Sequence, residues 1–241
     1  MELKAQNHAI TNEAVLHVHV QAEILNRYDM LQESLREKTA QLAAKRLFDI
    51  LIASVLIILF MPFLLLITIL IKLTSRGPVL YSSERVGLGG DHFNCYKFRS
   101  MVIDHSVKQK DHKAAINGQR LGVLHKRKND TRITFIGRII RKTSMDELPQ
   151  LFNVLAGDMS IIGPRPLVPF MLAPYPEFRS VRSLVRPGIT GLWQIRDREH
   201  NTSAEYMISH DTEYIANFSL LLDLKILCDT PLAVISGKGA Y

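Results

Sequence analysis

The chain has 241 residues and a mass of 27.4 kDa, enough for one sizeable hydrophobic core with or without a membrane-associated element. Its formal net charge of +7 and pI of about 9.5 favour anionic partners, such as phosphorylated metabolites and acidic lipid headgroups. Its two cysteines, Cys95 and Cys228, lie far apart and match no metal-ligand spacing, which argues against a disulfide framework and fits a reducing compartment.

The N-terminal extension, residues 1–44, is predicted to be mainly an amphipathic helix. Apolar side chains recur there at helical spacing: Leu25, Tyr28, Leu31, Leu35 and Leu42. Upstream, the segment LHVHV alternates like a short strand, and its two histidines are interpreted as structural rather than metal-binding. The opening residues contain no apolar core of an export signal, so we expect no cleaved signal. The helix could pair with a second copy, but no sustained heptad demands it, so a homo-oligomer stays open.

Residues 45–76 form the predicted membrane segment. Between Leu47 and Ile71 the only charged residue is Asp49, and a helix of this length would measure about 37 Å, enough to cross a bilayer. Pro62 lies just past the middle and predicts a bend. Cations flank both ends of the segment, which favours a re-entrant helix that enters and leaves by the same face. A kinked single span is the alternative.

Residues 77–241 are predicted to form a small cytosolic catalytic domain, so the fold class is α+β and rich in helix. Two alternating segments around LGGD predict a short β-hairpin, and residues 104–130 are predicted to be a polar surface loop. Near the C-terminus, an apolar stripe around Tyr214, Phe218 and Leu221 fits either a core helix or an amphipathic helix in the membrane interface.

The segment RIIRKTSMDELPQL contains two adjacent carboxylates, Asp146 and Glu147. One interpretation is a capping box, with Ser144 as the N-cap and Glu147 three residues later. Pro149 counts against it, because proline prefers the first helical turn; the helix then begins near Leu148 or Pro149, with both carboxylates just before it. An ionised aspartate there could attack phosphorus, and neighbouring carboxylates could hold Mg²⁺ beside a substrate phosphate. Residue spacing alone leaves capping and catalysis both open.

Several cations could bind phosphate near this pair. In the segment GPRP, Pro164 and Pro166 restrict the backbone around Arg165, whose guanidinium suits bidentate phosphate binding, although a plain turn with an exposed arginine explains it too. Lys97 and Arg99 alternate on the second predicted strand, where they could contact phosphate or face solvent. The basic residues before the carboxylates, Arg138, Arg141 and Lys142, could offset their repulsion of a phosphate.

These segments occur together in one order: KRLFDILIA, GPVLYSSERVG, YKFRSM, RKTSMDELPQLFNVLAGDMSIIGPRP, RPGITGLWQI and the terminal LDLKIL with GKGAY. The ordered set resembles the bacterial sugar transferase family, the monotopic polyprenyl-phosphate phosphoglycosyl transferases. The resemblance runs from about residue 45 to residue 241. It departs from some members at Met61, which stands where they have a serine before the proline; without that hydroxyl the bend at Pro62 should be shallower.

The resemblance implies an enzyme at the cytoplasmic face of the bacterial inner membrane that moves a sugar-1-phosphate from a UDP-sugar to undecaprenyl phosphate and releases UMP. It assigns the nucleophile to Asp146 and Mg²⁺ binding to Glu147 together with Asp146. It implies phosphate or nucleotide binding by Arg141 and by the 164–166 segment, with membrane lipids as further partners.

A protein of another class remains as a rival: a non-catalytic membrane scaffold whose basic face binds acidic lipid. It explains the charge and the apolar segment but gives no reason for an Asp-Glu pair among phosphate-binding segments. A nucleic-acid-binding role is disfavoured, because the chain has a single tryptophan, no recognised nucleic-acid module and a membrane segment. The sequence leaves the transferred sugar and the glycan pathway open.

Overall fold

The computed structural model describes residues 27–102, 131–173, 175–196 and 204–235. The predicted strand around LHVHV, the predicted surface loop at 104–130 and the terminal GKGAY lie outside this range. Within it, the chain is rich in helix and carries two small sheets of two strands each, which confirms the predicted α+β class.

Two helices open the described part of the chain. Helix α1 occupies residues 27–37, and its apolar side chains Leu31 and Leu35 are buried, as their spacing predicted. Helix α2, Thr39–Thr74, begins six residues before the predicted membrane segment and continues unbroken through Pro62. Helix α2 is long and apolar enough to cross a membrane.

One stripe along α2 packs against the rest of the protein. Its buried residues recur every three, four or seven positions: Asp49, Ala53, Ile57, Leu64, Ile67 and Ile71. The other sides expose large apolar side chains, including Leu47, Leu51, Val55, Ile58, Leu65, Ile69 and Leu73. Exposure of so many large apolar side chains to water is unfavourable, so the exposed sides of α2 indicate a membrane-bound protein.

The predicted β-hairpin is present. Strands β1, Leu80–Val86, and β2, His92–Phe98, pair antiparallel, and residue Tyr81 lies opposite Lys97. The turn between them contains Gly89 and Gly90 at φ values of 66° and 86°, a left-handed conformation that glycine adopts without strain. The LGGD turn prediction is therefore confirmed.

Short elements follow the hairpin: α3 Phe135–Lys142, α4 Gln150–Ala156, β3 Ser160–Ile162, α5 Pro169–Leu172, α6 Pro176–Arg182, β4 Gly188–Thr190, α7 Leu192–Arg196, α8 Ala204–Ala216 and α9 Leu220–Ile235. Strands β3 and β4 pair in parallel, a second sheet that the sequence did not predict because each strand has three residues between Gly-Pro turns. Their approach is close, since a Cβ on Gly188 would lie 2.1 Å from the amide nitrogen of Gly163.

The described core consists of three apolar clusters around this frame. The largest joins α1, the first half of α2, α4, β3 and α8, and the C-terminal half of α2 packs with Phe98, Ile136 and Ile140. In the C-terminal stripe, Tyr214 and Phe218 are buried in the core, which confirms the core-helix alternative for α8. Leu221 at the start of α9 is 77% exposed, so the stripe divides between core and surface.

A buried polar network attaches the first half of α2 to the domain. Asp49 is 4% exposed, and its Oδ1 accepts hydrogen bonds from Ser160 Oγ at 2.9 Å and from the Ile161 amide at 3.0 Å. One turn earlier, Lys45 Nζ donates to Asp223 Oδ2 at 2.6 Å and lies 4.0 Å from Asp49 Oδ1. The one carboxylate of the apolar segment therefore fastens α2 to strand β3.

We expect Asp49→Ala to lower the free energy of unfolding by about 3 kcal/mol, because it leaves the buried Ile161 amide without its acceptor, removes one acceptor of Ser160 Oγ and takes a nearby opposite charge from Lys45. Asp49→Asn keeps an acceptor oxygen and should cost less. Denaturant unfolding in detergent measures both, with Leu51→Ala on an exposed side of α2 as the control, expected to cost less than about 1 kcal/mol. Equal losses in Asp49→Ala and Leu51→Ala would show that the network adds no stability.

Candidate active site

The two carboxylates lie in a turn between helices. Residues Met145–Glu147 form a single 3₁₀ turn, and α4 begins at Gln150 with Pro149 in the N-cap position. Ser144 adopts a left-handed φ of 56°, and its side chain caps none of the described backbone amides. The capping-box interpretation is therefore wrong, because Pro149 moves the helix start beyond both carboxylates. The predicted placement of Asp146 and Glu147 just before the helix is confirmed.

Asn153, a buried residue of α4, fixes this turn against the hairpin. Its Oδ1 accepts a hydrogen bond from the Tyr96 amide at 3.0 Å, and its Nδ2 donates to the Asn94 carbonyl at 2.7 Å. These two bonds replace ladder contacts along one edge of β2. As a result, Lys97 on β2 lies beside the turn that contains Glu147.

Glu147 is the anionic centre of the site. Its Oε1 accepts from Lys97 Nζ at 2.6 Å and from Arg165 Nη2 at 2.8 Å, and its side chain is 12% exposed. Burial alone would raise the pKa of Glu147, but the charges of Arg165 and Lys97 outweigh it and hold the pKa below its usual value. Three residues predicted separately from the sequence thus meet at one oxygen atom.

Asp146, next to it, has a different environment. It is half-buried, and none of the described residues donates a hydrogen bond to its carboxylate. Burial raises the pKa of Asp146 to about 6, the adjacent charge of Glu147 acts in the same direction, and Lys97, Arg141 and Arg165 oppose the rise. The pair therefore combines one carboxylate that is held by cations with one whose oxygen lone pairs are open to a ligand.

In the Pro-Arg-Pro segment, residues 164–166, hydrogen bonds to the backbone carbonyls position the Arg165 side chain against Glu147. Both prolines lack an amide hydrogen, and all three backbone carbonyls of the segment accept hydrogen bonds. The Pro164 carbonyl accepts from the Gly188 amide at 2.8 Å, the Arg165 carbonyl accepts from Arg182, and the Pro166 carbonyl accepts from Arg85 Nη1 at 3.2 Å. The backbone around Arg165 is therefore restricted, as predicted. Its guanidinium contacts Glu147 and is not exposed.

Arg182 belongs to a buried ion pair behind this segment. Its Nη2 lies 3.2 Å from Asp211 Oδ2 on α8, and both side chains are almost fully buried. Burial lowers the pKa of Arg182 and raises that of Asp211 to about 6, while attraction between the two charges opposes both shifts. The pair connects the loop of Arg165 to α6 and α8.

The other predicted cations lie at different distances from the carboxylates. Arg141 is half-buried, and its charge reaches Asp146. Arg138 and Lys142 are exposed on α3. Arg99 is buried away from this group: its Nη2 donates to the carbonyl and to the hydroxyl of Ser75 at 2.8 Å each, at the end of α2. The contacts of Arg99 thus fit attachment of α2, and its predicted phosphate contact remains untested.

Three residues of the site were missed from the sequence: Arg85, Asn153 and Arg182. For Arg85 a signal existed, because strand alternation from the LGGD turn places it on the same hairpin face as Lys97. For Asn153 and Arg182 the sequence contains no such signal. A buried asparagine or arginine in a short helix cannot be distinguished by sequence from an exposed polar residue.

The oxygen donors suit Mg²⁺ only in combination with a substrate. The described residues contain no cluster of three or more histidine, cysteine, aspartate or glutamate side chains that could hold a metal. Asp146 and the Oε2 atom of Glu147 accept no hydrogen bond from the described residues, and Mg²⁺ is commonly bound by one or two carboxylates together with substrate phosphates. The donor set therefore fits Mg²⁺.

Comparison with known proteins decides the family. Residues 40–237, most of the chain, match the profile of a protein family described as bacterial sugar transferase. The chain belongs to this family. Membership confirms the resemblance found in the ordered motifs and the predicted enzyme class, a phosphoglycosyl transferase.

Curated relatives of this sugar transferase cover most of it. It is 41% identical over 201 residues to "Exopolysaccharide production protein ExoY" of Rhizobium meliloti (strain 1021), which covers 82% of this chain and 88% of that protein. It is 41% identical over 214 residues to "Undecaprenyl-phosphate galactose phosphotransferase" of Salmonella typhimurium, covering 88% of this chain and 44% of that protein. A Klebsiella pneumoniae protein named "UDP-glucose:undecaprenyl-phosphate glucose-1-phosphate transferase" is 40% identical over 207 residues, 82% of this chain and 41% of that protein.

Proposed function

We propose that this sugar transferase moves a sugar-1-phosphate from a UDP-sugar to undecaprenyl phosphate, giving undecaprenyl-diphosphate-sugar and UMP. Relatives whose names state these donors and this acceptor support the substrates, and a relative named for exopolysaccharide production supports a role at the first membrane step of exopolysaccharide, capsule or O-antigen assembly. The single observation that carries the mechanism is the asymmetry of the carboxylate pair: Glu147 binds two cations, and Asp146 accepts no hydrogen bond from the described residues.

Two displacements at one phosphorus atom account for the reaction. An Asp146 oxygen attacks the sugar-bearing phosphorus, the bond to the UMP oxygen breaks, and UMP leaves with the electron pair. A phosphate oxygen of undecaprenyl phosphate then attacks the same phosphorus, the bond to Asp146 breaks, and the carboxylate is regenerated. Lys97 and Arg165 supply fixed positive charge beside the reacting phosphorus, which stabilises charge on the leaving phosphate.

Mg²⁺ is the proposed cofactor, and Asp146 and Glu147 are the residues that would hold it. When bound it supplies charge neutralisation for the diphosphate, which would otherwise be repelled by two carboxylates. The protein's own contribution is to keep Glu147 ionised and oriented through its contacts with Lys97 and Arg165.

The topology of α2 is proposed to be re-entrant, with the catalytic domain at the cytoplasmic face of the inner membrane. Support comes from contacts at both ends of the apolar stretch with one and the same domain. Just before α2, Lys38 Nζ donates to the Phe218 carbonyl at 3.0 Å; just after α2, the Ser75 carbonyl accepts from Arg99 at 2.8 Å. A straight span would place these ends on opposite sides of the bilayer, where one polar domain could not reach both.

Two short helices, α3 and α4, are proposed to lie in the membrane interface. Phe135, 75% exposed, and Ile139 lie on α3 beside Arg138, and Phe152 is exposed on α4. Apolar side chains next to cations suit the boundary between acyl chains and anionic headgroups. Since α3 and α4 flank the turn of Asp146, this orientation would place the carboxylates at the depth where a lipid phosphate resides.

Turnover of the purified full chain tests the proposed function. We expect UMP release from at least one of a panel of UDP-sugars, sustained only when undecaprenyl phosphate is present, with undecaprenyl-diphosphate-sugar as the lipid product. EDTA should abolish the sustained release, and excess Mg²⁺ should restore it. A protein that binds acidic vesicles but turns over no sugar in the panel would instead support the rival, a non-catalytic scaffold.

Cysteine labelling tests the topology separately. Glu37 and Thr74 are both exposed at the two ends of α2 and can be replaced by cysteine one at a time in a Cys228→Ser background. We expect a membrane-impermeant maleimide to label both positions from the cytoplasmic side. Labelling of the two positions from opposite sides would establish a true span and contradict the re-entrant form.

A further inference from the structure

The hairpin has a polar inner face that the proposed mechanism uses only in part. Alternation along β1 places Tyr81, Ser83 and Arg85 on one face, and their register partners on β2 are Lys97, Cys95 and Phe93. All six side chains are buried or half-buried, whereas most of their neighbours in the two strands are exposed. Lys97 on this face bonds Glu147, so the same face brings Arg85 to the edge of the active site.

Arg85 has few partners for its five N–H donors. Its Nε donates to Ser83 Oγ at 3.1 Å and its Nη1 to the Pro166 carbonyl at 3.2 Å. None of the described carboxylates forms an ion pair with it, and these two neutral acceptors leave the Nη2 hydrogens without a partner in the described part of the chain. A guanidinium fixed at two points with one edge unused is an arrangement suited to binding an anion.

The electrostatic surroundings of Arg85 also favour an anion. Burial lowers the pKa of the Arg85 guanidinium and repulsion from Arg165 acts in the same direction, while Cys95, Tyr81 and Glu147 oppose the shift. Among the described residues, four cationic side chains act on the two carboxylates or on each other: Arg85, Lys97, Arg141 and Arg165. Arg165 has Glu147 as its ion-pair partner, whereas Arg85 has only neutral acceptors among the described residues, so an anion bound beside both arginines would offset the cost of the unpaired charge on Arg85.

We propose that Arg85 is a further substrate-binding residue of this enzyme, which donates to the diphosphate of the nucleotide-sugar beside Arg165. The inference rests on the proposed function, since it takes a nucleoside diphosphate sugar as the donor. The geometry supports it directly: Arg85 and Arg165 are joined through one loop, because the carbonyl that Arg85 holds belongs to Pro166, the next residue after Arg165. Arg85 thus both positions this loop and adds a charge to the same ligand.

Binding of UDP compared with uridine tests the assignment, because uridine lacks the diphosphate. Calorimetry on the purified full chain with Mg²⁺ gives both dissociation constants. We expect Arg85→Ala to weaken UDP binding by about 10- to 100-fold, the usual range for one hydrogen bond to a charged group, and to leave uridine binding within about threefold. Arg85→Lys, which keeps the charge, should fall between Arg85→Ala and the unchanged protein.

A second variant separates charge from loop positioning. Arg85→Gln removes the charge but keeps an N–H donor for a neutral acceptor such as the Pro166 carbonyl, and it keeps the test valid if Arg85→Ala fails to fold. Arg196→Ala is the matched control, since Arg196 pairs with Glu213 at the surface; it should leave both dissociation constants unchanged.

The proposal is overturned if Arg85→Gln binds UDP as tightly as the unchanged protein, or if UDP and uridine weaken by the same factor. Failure of the proposed function would look different: the unchanged protein would show no turnover, whatever the variants of Arg85 bind.

Discussion

Asp146→Asn is expected to lower turnover by roughly 1,000-fold or more, because an amide cannot attack phosphorus and regenerate as a carboxylate leaving group. The structure leaves the Asp146 carboxylate without a hydrogen-bond donor among the described residues, so the substitution removes the nucleophile while it breaks none of the described hydrogen bonds. UMP release measures turnover. Intact-protein mass measures the intermediate: with a UDP-sugar and no acceptor, the unchanged enzyme should gain the mass of one sugar phosphate, and the variant should gain none.

Two further variants make the Asp146 result decisive. Asp146→Ala excludes residual activity from slow deamidation of the asparagine. Asp91→Asn makes the same chemical change at an exposed position of the hairpin turn and should leave turnover within about twofold. Undiminished turnover in Asp146→Ala would remove the covalent mechanism, and turnover without any adduct on the unchanged enzyme would favour direct attack by the lipid phosphate.

Glu147→Gln is expected to lower turnover by about 100-fold or more, in the range seen when one preorganised electrostatic group is removed from an active site. The neutral amide cannot hold Lys97 and Arg165 at one atom, so both cations lose the partner that orients them. The same change leaves two partly buried charges unpaired, so the melting temperature should fall as well. Initial rates at saturating donor and a thermal unfolding scan measure the two effects.

Glu213→Gln is the matched control for Glu147→Gln, because it also removes a carboxylate from a glutamate–arginine pair. Glu213 lies on α8 and pairs with Arg196 at the protein surface. The two donor–acceptor distances are 2.6 and 2.8 Å. Surface pairs contribute little, so turnover and melting temperature should both stay close to the original values. If the two variants lose turnover equally, Glu147 has no special role in the site.

Much of the site could be predicted because its functional residues lie in short local sequence motifs. The Asp-Glu pair, the rigid Pro-Arg-Pro segment and the alternation around Lys97 are each visible without knowledge of the fold, and Pro149 alone indicates that the carboxylates precede the helix. The hairpin and the long apolar helix were predictable for the same reason, since turn glycines and hydropathy act over a few residues to a few turns.

The unpredicted part consists of contacts between distant segments. Strands β3 and β4 become strands only because Gly163 and Gly188 let two backbones approach, and neither strand has a pattern of its own. Asp49 looked like an isolated charge at the edge of an apolar run, and its acceptor role depends on Ser160, 111 residues later. Burial of Arg99 against Ser75 was likewise invisible, because alternation on a strand gives the face of a side chain but not the partner.

The order in which these partners are synthesised has a consequence for how the enzyme matures. Lys45 meets Asp223, 178 residues later in the chain, and Glu147 lacks its second cation until Arg165, 18 residues further on, has left the ribosome. The apolar helix is synthesised early, whereas its described partners follow in stages: Arg99, then Ser160 and Ile161, and finally Phe218 and Asp223. A chain that ends before Arg165 therefore holds Glu147 with only one of its two cations, and a chain that ends before Asp223 lacks the hydrogen-bond acceptor of Lys45.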